Sequence, residues 1–338
     1  MKKSLISLLC FFFVFVLIVA SKAQDPGFSQ FYGNPLYLNP ALAGNKLCPR
    51  ITLNYRNQWP SIPSSFVTYS ASFDQFVNKM NSGLGLLIVS DNAGDGILTN
   101  NSFSGIYSYR TKLAEEIEMN AGFQATFQQL SLNWDKLTFA DQILNDITKP
   151  TKEEEPESLS KRFPDFSTGF LIGYRESIYA GLAVHHLTQP ENGFYNTSES
   201  DSISSKQLRK ITAHAGAIFN LGAEDWYADI KGTPSVSFNI LYQQQGKFQQ
   251  LNIGGSLNIY PVITGIWFRH NFNNPDAVIA LLGFEYKQYK IGYAYDYTIS
   301  KLTNATGGSH EISIAYIFDC YQETRKSSKI KAIKCPSF

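Results

Sequence analysis

Five histidines, His185, His186, His214, His270 and His310, are the residues best suited to acid–base work in this chain. A serine hydrolase needs a histidine within hydrogen-bond reach of a nucleophile, and a third group to orient it. His185 and His186 are adjacent. On a strand, neighbours point to opposite faces, so only one of the pair could face a shared site. Neither has a nucleophile at a recognisable spacing. The chain has no HExxH, no paired CxxC, no phosphate-cradling glycine loop and no DxDxDG loop. "SDNAGDG" at 90–96 has turn chemistry, since Asn, Asp and Gly accept left-handed backbone angles. The acidic run Glu153-Glu154-Glu155 reads as part of a solvated loop. The residues therefore make no catalytic case and imply no cofactor and no metal.

The elements that must carry these residues are strands. From residue 50 onward the pattern has period two. "ITLNYRNQW" places Ile51, Leu53 and Tyr55 opposite Thr52, Asn54 and Arg56. "HEISIAYIF" places Ile312, Ile314 and Tyr316 opposite Glu311, Ser313 and Ala315. About fourteen such segments fall near 50–58, 66–75, 82–91, 98–110, 116–129, 166–175, 178–188, 209–219, 234–244, 248–258, 261–270, 277–286, 289–298 and 310–318. Lengths near ten suit strands tilted across a bilayer. Aromatics gather at segment ends, as in Tyr55 and Trp59, or Tyr293 and Tyr295, which is where interfacial girdles stand. The expected fold is all-β, an antiparallel transmembrane barrel whose first and last strands pair, because lipid tolerates no open sheet edge. Long connections at 130–165, 189–208, 271–276 and 299–309 alternate with short ones at 175–177, 260–261 and 287–288. Residues 221–234 are long for a turn on the short side.

Composition agrees. Of 338 residues, 17% are charged and 14% aromatic, and the net charge is +1. Soluble domains average about 25% charged. Near-neutral charge argues against nucleic acid as a partner. Lys2 and Lys3, the apolar run Leu5–Ala20 and the small residues of Ser21-Lys22-Ala23 form a signal peptide with cleavage before Gln24. Cys48, Cys320 and Cys335 then remain. The preferred disulfide is Cys320 with Cys335, across a basic tail that spans 319–338.

Between leader and first strand lies "QDPGFSQFYGNPLYLNPALAGN", residues 24–45. Its prolines fix φ in advance and its rings supply apolar area. The expectation is a segment packed into the lumen or lower rim, at or inside the periplasmic mouth. Its Asp25, Pro26, Phe28, Ser29, Gln30, Asn34, Pro35, Asn39, Pro40, Ala41 and Gly44 follow the opening motif of the PorP/SprF family, which this chain resembles. "YRNQWP" at 55–60, "LNWDKLTFADQ" at 132–142, "GLAVHHLTQP" at 181–190, "GSHEISIAYIFDC" at 308–320 and the final "KCPSF" resemble it too, the last leaning to the motility-associated SprF side.

The resemblance implies a non-enzymatic outer-membrane component of type IX secretion in Bacteroidota. It would support export or surface anchoring of a cargo, such as a gliding adhesin, that bears a C-terminal targeting domain. Implied partners are the secretion machinery, its cargo, outer-membrane lipid and periplasmic lipoprotein or ring components. The expected contact residues are Trp134, Leu137, Phe139, His186, Pro190, His310 and Glu311. The rival is a passive porin, for which inward charges Arg56, Asp74, Arg110, Glu118, Arg269 and Glu285 are candidates. A barrel esterase built on His185 or His186 is a further rival.

Overall fold

The computed structural model describes residues 24–63, 65–144, 147, 149–175, 177–195, 205–221, 234–272, 274–300, 306–319 and 333. The expected leader and most of the tail lie outside these. The described strands are β1 (Arg50–Gln58), β2 (Phe66–Val77), β3 (Ser82–Ala93), β4 (Leu98–Ala114), β5 (Ile117–Leu132), β6 (Ser160–Tyr174), β7 (Ile178–His185), β8 (Lys210–Asn220), β9 (Ser235–Gln245), β10 (Phe248–Ile259), β11 (Val262–Asn271), β12 (Asn274–Tyr286), β13 (Tyr289–Thr298) and β14 (Ser309–Ile317). Each pairs antiparallel with its neighbours, and β1 closes on β14 from Arg50↔Ile317 to Gln58↔Ser309. No described helix is long and apolar enough to cross a membrane.

Alternation decides which way each strand turns. On β1 the buried positions are Arg50, Thr52, Asn54 and Arg56, while Leu53 is exposed. Polar side chains thus face the lumen and apolar ones face out, the arrangement lipid requires. The outer surface shows Leu84, Leu86 and Ile88 of β3, Phe103 and Tyr107 of β4, and Phe123 and Phe127 of β5. β3 is apolar on both faces: Leu87 and Val89 turn inward and are buried.

One end of the barrel holds the start of β1 and the end of β14; we call it the terminus end, and the opposite one the loop end. Residues 133–159 and 186–209 are the longest loop-end connections. The 130–165 connection is shorter than expected because β5 and β6 continue pairing to Ser131↔Ser160. The stretch 271–276 is no loop: β12 begins at Asn274, and a register shift between Arg269 and His270 absorbs the extra residue. Strand count does not slip at 221–234, since β8 ends at Asn220 and β9 starts at Ser235. Cys48 is disulfide-bonded, whereas the expected pairing of Cys320 with Cys335 left it out; those two cysteines lie outside the described residues.

Residues 25–45 occupy the lumen. They bond to inward-facing side chains of β1, β2, β4, β5, β9, β13 and β14, which only a segment inside the closed wall can reach. The path differs from the expected one. Asp25 sits at the loop end beside Gln245, and Gly44 at the terminus end beside Asp74, so the segment runs the length of the barrel. Three short turns compact it: Phe31–Gly33, Pro35–Leu38 and Pro40–Leu42. Pro35 and Pro40 stand at turn starts, where a missing N–H loses nothing. Asn39 caps the third turn by accepting from the Ala41 N–H at 2.9 Å.

The wall is shaped to receive this path. A Cβ on Gly83 would strike the Ala43 carbonyl, one on Gly122 the Pro40–Ala41 backbone, and one on Gly169 the Asn39 amide. Glycine lets two backbones approach where any side chain would stand between them. Leu36 and Ala43 then pack on Leu87, Val89 and Ile106, while Phe31, Tyr32, Leu38 and Leu42 join Leu171, Leu241, Ile263 and Trp267. Each fully buried leucine contributes about 1.5–3 kcal/mol.

Candidate functional site

The lumen is held by three polar clusters. At the terminus end, Asp74 accepts from Arg50 at 2.9 and 3.0 Å and from the Gly44 N–H at 2.9 Å. Arg110 lies 4.4 Å over the Phe76 ring and donates to the Gly44 carbonyl at 3.0 Å. Ser108 donates to the Ala43 carbonyl at 2.6 Å, and Asn120 to the Ala41 carbonyl at 3.1 Å. Asn45 donates to the Ile333 carbonyl at 2.7 Å, which places that tail residue at the same mouth, with its side chain buried.

On the β1–β14–β13 wall, Glu311 accepts from the backbone N–H groups of Ser29 and Gln30, at 2.7 and 3.0 Å. Arg56 bridges Glu311 and Asp296, each at 3.1 Å, and also donates to the Ser29 hydroxyl. Arg269 reaches Asp296 at 2.8 Å and Asp276 at 2.6 Å. Ser29 donates to Asp296 at 2.6 Å. Three carboxylates, Glu311, Asp296 and Asp276, thus meet two guanidinium groups, and Glu311 also meets the plug backbone.

The third cluster closes the loop end. The His186 ring lies between two carboxylates, Nδ1 2.7 Å from Asp165 and Nε2 2.7 Å from Asp25. Asp25 also pairs with Gln245 through its own N–H and carboxylate, accepts from Gln207 at 3.2 Å, and lies 3.8 Å from Lys210. Burial opposes the Asp25 charge, but His186 and Lys210 outweigh it and hold the carboxyl well below the usual range. Burial likewise opposes charge on His186, yet Asp25 and then Asp165 push its pKa up to about 9. The ring is an imidazolium at neutral pH, and both its N–H groups donate.

A polar cleft, partly open to solvent, adjoins this cluster. Its floor is Tyr37 and Pro26 of the plug, and its walls are inward residues of β3 to β6 with His185, Gln207 and Lys210.

A family model described as "Type IX secretion system membrane protein PorP/SprF" matches residues 20–316. The chain belongs to the PorP/SprF family. A barrel of this family is an outer-membrane component of type IX secretion. No curated protein matches the chain. Among solved structures it is similar to the toluene transporter TbuX of Ralstonia pickettii, with 10% identity, TM-score 0.48, and 83% of this chain and 92% of that one covered. It is also similar to the CymD monoaromatic hydrocarbon channel, with 10% identity, TM-score 0.47, and coverage of 88% and 95%. A Pseudomonas aeruginosa FadL homologue gives 12%, 0.45, 89% and 100%. Likenesses this remote carry no argument about what a PorP/SprF chain binds.

The PorP/SprF opening motif now has physical content. Asp25 binds at the loop end, and the Pro26 carbonyl accepts from Tyr37 at 2.6 Å. The Phe28 ring stands edge-on to Tyr37 at 5.1 Å. Ser29 and Gln30 hold Glu311. Asn34 donates to Ser70 at 3.0 Å, and Asn39 to the Phe170 carbonyl at 3.1 Å. Gly44, at φ 61°, packs on Gly83.

The residues expected as one contact surface are not brought together. Glu311 is fully buried and grips the plug. His186 is buried as well, next to His185. The two rings do not take opposite faces, because β7 stops at His185 and His186 takes a left-handed φ of 57° that turns it inward. His310 bonds the Tyr293 hydroxyl at 2.7 Å, and Pro190 accepts from the Gln207 N–H. Trp134, Leu137 and Phe139 stay in the 133–159 loop, Trp134 and Phe139 with ring centroids 4.6 Å apart. Of the expected inward charges, Arg56, Asp74, Arg110 and Arg269 line the lumen; Glu285 pairs with Lys290 at 2.8 Å. Asp165, Lys210 and Asp296 were missed. The signal for Asp296 was present in "YAYDYT", where it stands opposite three tyrosines.

Proposed function

We propose that this protein is a closed, non-enzymatic component of type IX secretion that supports export or surface anchoring of one cargo with a C-terminal targeting domain. The terminus end faces the periplasm, where the tail docks lipoprotein or ring components, and the loop end faces outward. The observation that carries the reading is the filled lumen. A diffusion porin needs an aqueous channel, whereas here the N-terminal segment runs through the barrel on buried charge clusters. A barrel without a free passage acts through its surfaces.

The loop 133–159 offers one. Ile143, Leu144 and Ile147 are 69%, 82% and 67% exposed, beside the Trp134–Phe139 pair. Apolar side chains held out on a loop favour a protein partner. The test is gene deletion followed by comparison of surface proteomes, with complementation by an Ile143→Ser/Leu144→Ser variant. Loss of one cargo, unrescued by the variant, supports an anchor. Loss of all exported proteins makes the chain a core component, and loss of none overturns the reading.

A further inference from the structure

The loop-end cleft contains an unusual imbalance. Five buried polar atoms on its lining have no hydrogen-bond partner among the described residues: Asn100 Oδ1, Gln124 Oε1, Gln128 Oε1, Gln207 Oε1 and His185 Nε2. All five are acceptors. Gln128 donates its amide N–H to Asp165, and Gln207 donates to Asp25. A carboxylate accepts only, so the opposite amide orientation is excluded for Gln128 and its oxygen must face the cleft. The His185 ring bonds the Leu38 backbone, which puts its proton there and leaves Nε2 as a lone pair. Gln124, Gln128 and His185 are 7%, 4% and 8% exposed, so these are built positions and not surface amides.

The charges point the same way. Asp25, Asp91 and Asp165 line the cleft against only Lys210 and His186. Asp91 accepts from Thr68 at 2.6 Å, with no cation in its ion pairs among the described residues. The site is therefore one positive charge short and rich in acceptors. A neutral polyol needs donors as well as acceptors from its site. An anion would meet three carboxylates. A guanidinium group brings a single delocalised charge, five N–H donors and no acceptor.

We propose that this cleft is a binding site for a guanidinium group, with Asp91 as counter-ion and the Gln124 and Gln128 oxygens as orienting acceptors. The group belongs either to an arginine side chain of a peptide entering from the loop end or to a small free solute. The proposal does not depend on the secretion role, because binding is read on the purified protein alone.

The test is calorimetric titration of the full-length protein in detergent. Probes are agmatine, a capped Gly-Arg-Gly peptide, and the matching peptides with citrulline or lysine in place of arginine. Saturable binding of a guanidinium probe is expected, with citrulline at least about tenfold weaker, since it keeps the shape and loses the charge. Asp91→Asn and Gln128→Leu should each weaken the arginine probe by a similar factor while keeping heat-modifiable gel mobility. Peptide binding at least as tight as agmatine identifies a peptide source; agmatine alone identifies a solute. Equal binding of citrulline, or no saturable binding of either guanidinium probe, overturns the proposal. The wild-type comparison of arginine with citrulline decides the matter even where a variant fails to fold.

Discussion

The two ends of the plug are fastened by different chemistry. At the terminus end, the Gly44 N–H is held by Asp74, itself paired with Arg50, and the Gly44 and Asn45 carbonyls are held by Arg110. At the loop end, Asp25 is held by an imidazolium. The first is a permanent anchor, reinforced where Gly83 and Gly122 let backbone meet backbone. The second can lose its charge within a range that solvents reach, and it borders a cleft. One molecule thus has a fixed end and a pH-sensitive end, the latter held also by Gln207, Gln245 and Lys210 and lying beside the long loops.

Breaking the fixed end should have the largest effect. Asp74→Ala leaves Arg50 buried without its partner and the Gly44 N–H without an acceptor. The expected loss is about 3–5 kcal/mol, read as a lower urea midpoint of heat-modifiable mobility in detergent. Gly122→Val should come next, at about 1–3 kcal/mol, since the added carbons strike the Pro40–Ala41 backbone. An unchanged midpoint for Gly122→Val would mean that the segment does not lie against β5.

His186→Gln tests the other end at a smaller magnitude, about 1–3 kcal/mol, through loss of one charged donor facing two carboxylates. A spin label at Gly27→Cys, where an added Cβ meets nothing within 4 Å, reports the segment directly. The His186 pKa is raised from 6.5 to about 9, so its contribution is complete below pH 6.5 and fades as pH rises through 9. Asp25 is shifted down from 3.8, so its contribution holds above that value and fades only in stronger acid. The label should be immobile from about pH 4 to 6.5 and gain mobility toward pH 9 and above. A label at Asn45→Cys should show no such transition, and His186→Gln should abolish the one at Gly27. Tyr37→Phe removes only the bond to the Pro26 carbonyl and should cost about 0.5–1.5 kcal/mol.

The same comparison separates what could be read from sequence. Strand alternation is local and repeated, so β1 is bounded at 50–58 and β13 at 289–298 by pattern alone. The closing pair and the lumenal face of Glu311 follow from period two. The plug's course does not. Its bonds join residues such as Ser29 and Glu311 that are 282 positions apart, and no local pattern encodes them. Even the inwardness of His186 depends on one left-handed backbone angle, which leaves no trace in residue type. Glycines on strands were the nearest available hint, because Gly83, Gly122 and Gly169 weaken a strand unless something must approach closely.

The N-terminal segment closes the lumen from end to end. Planar-bilayer conductance of the intact, purified protein tests that closure most directly, beside a paired variant, Asp25→Ala/His186→Gln, that frees the loop end. The intact protein should show no stable conductance at neutral pH, and the variant intermittent openings. A large, steady conductance from the intact protein would contradict that closure.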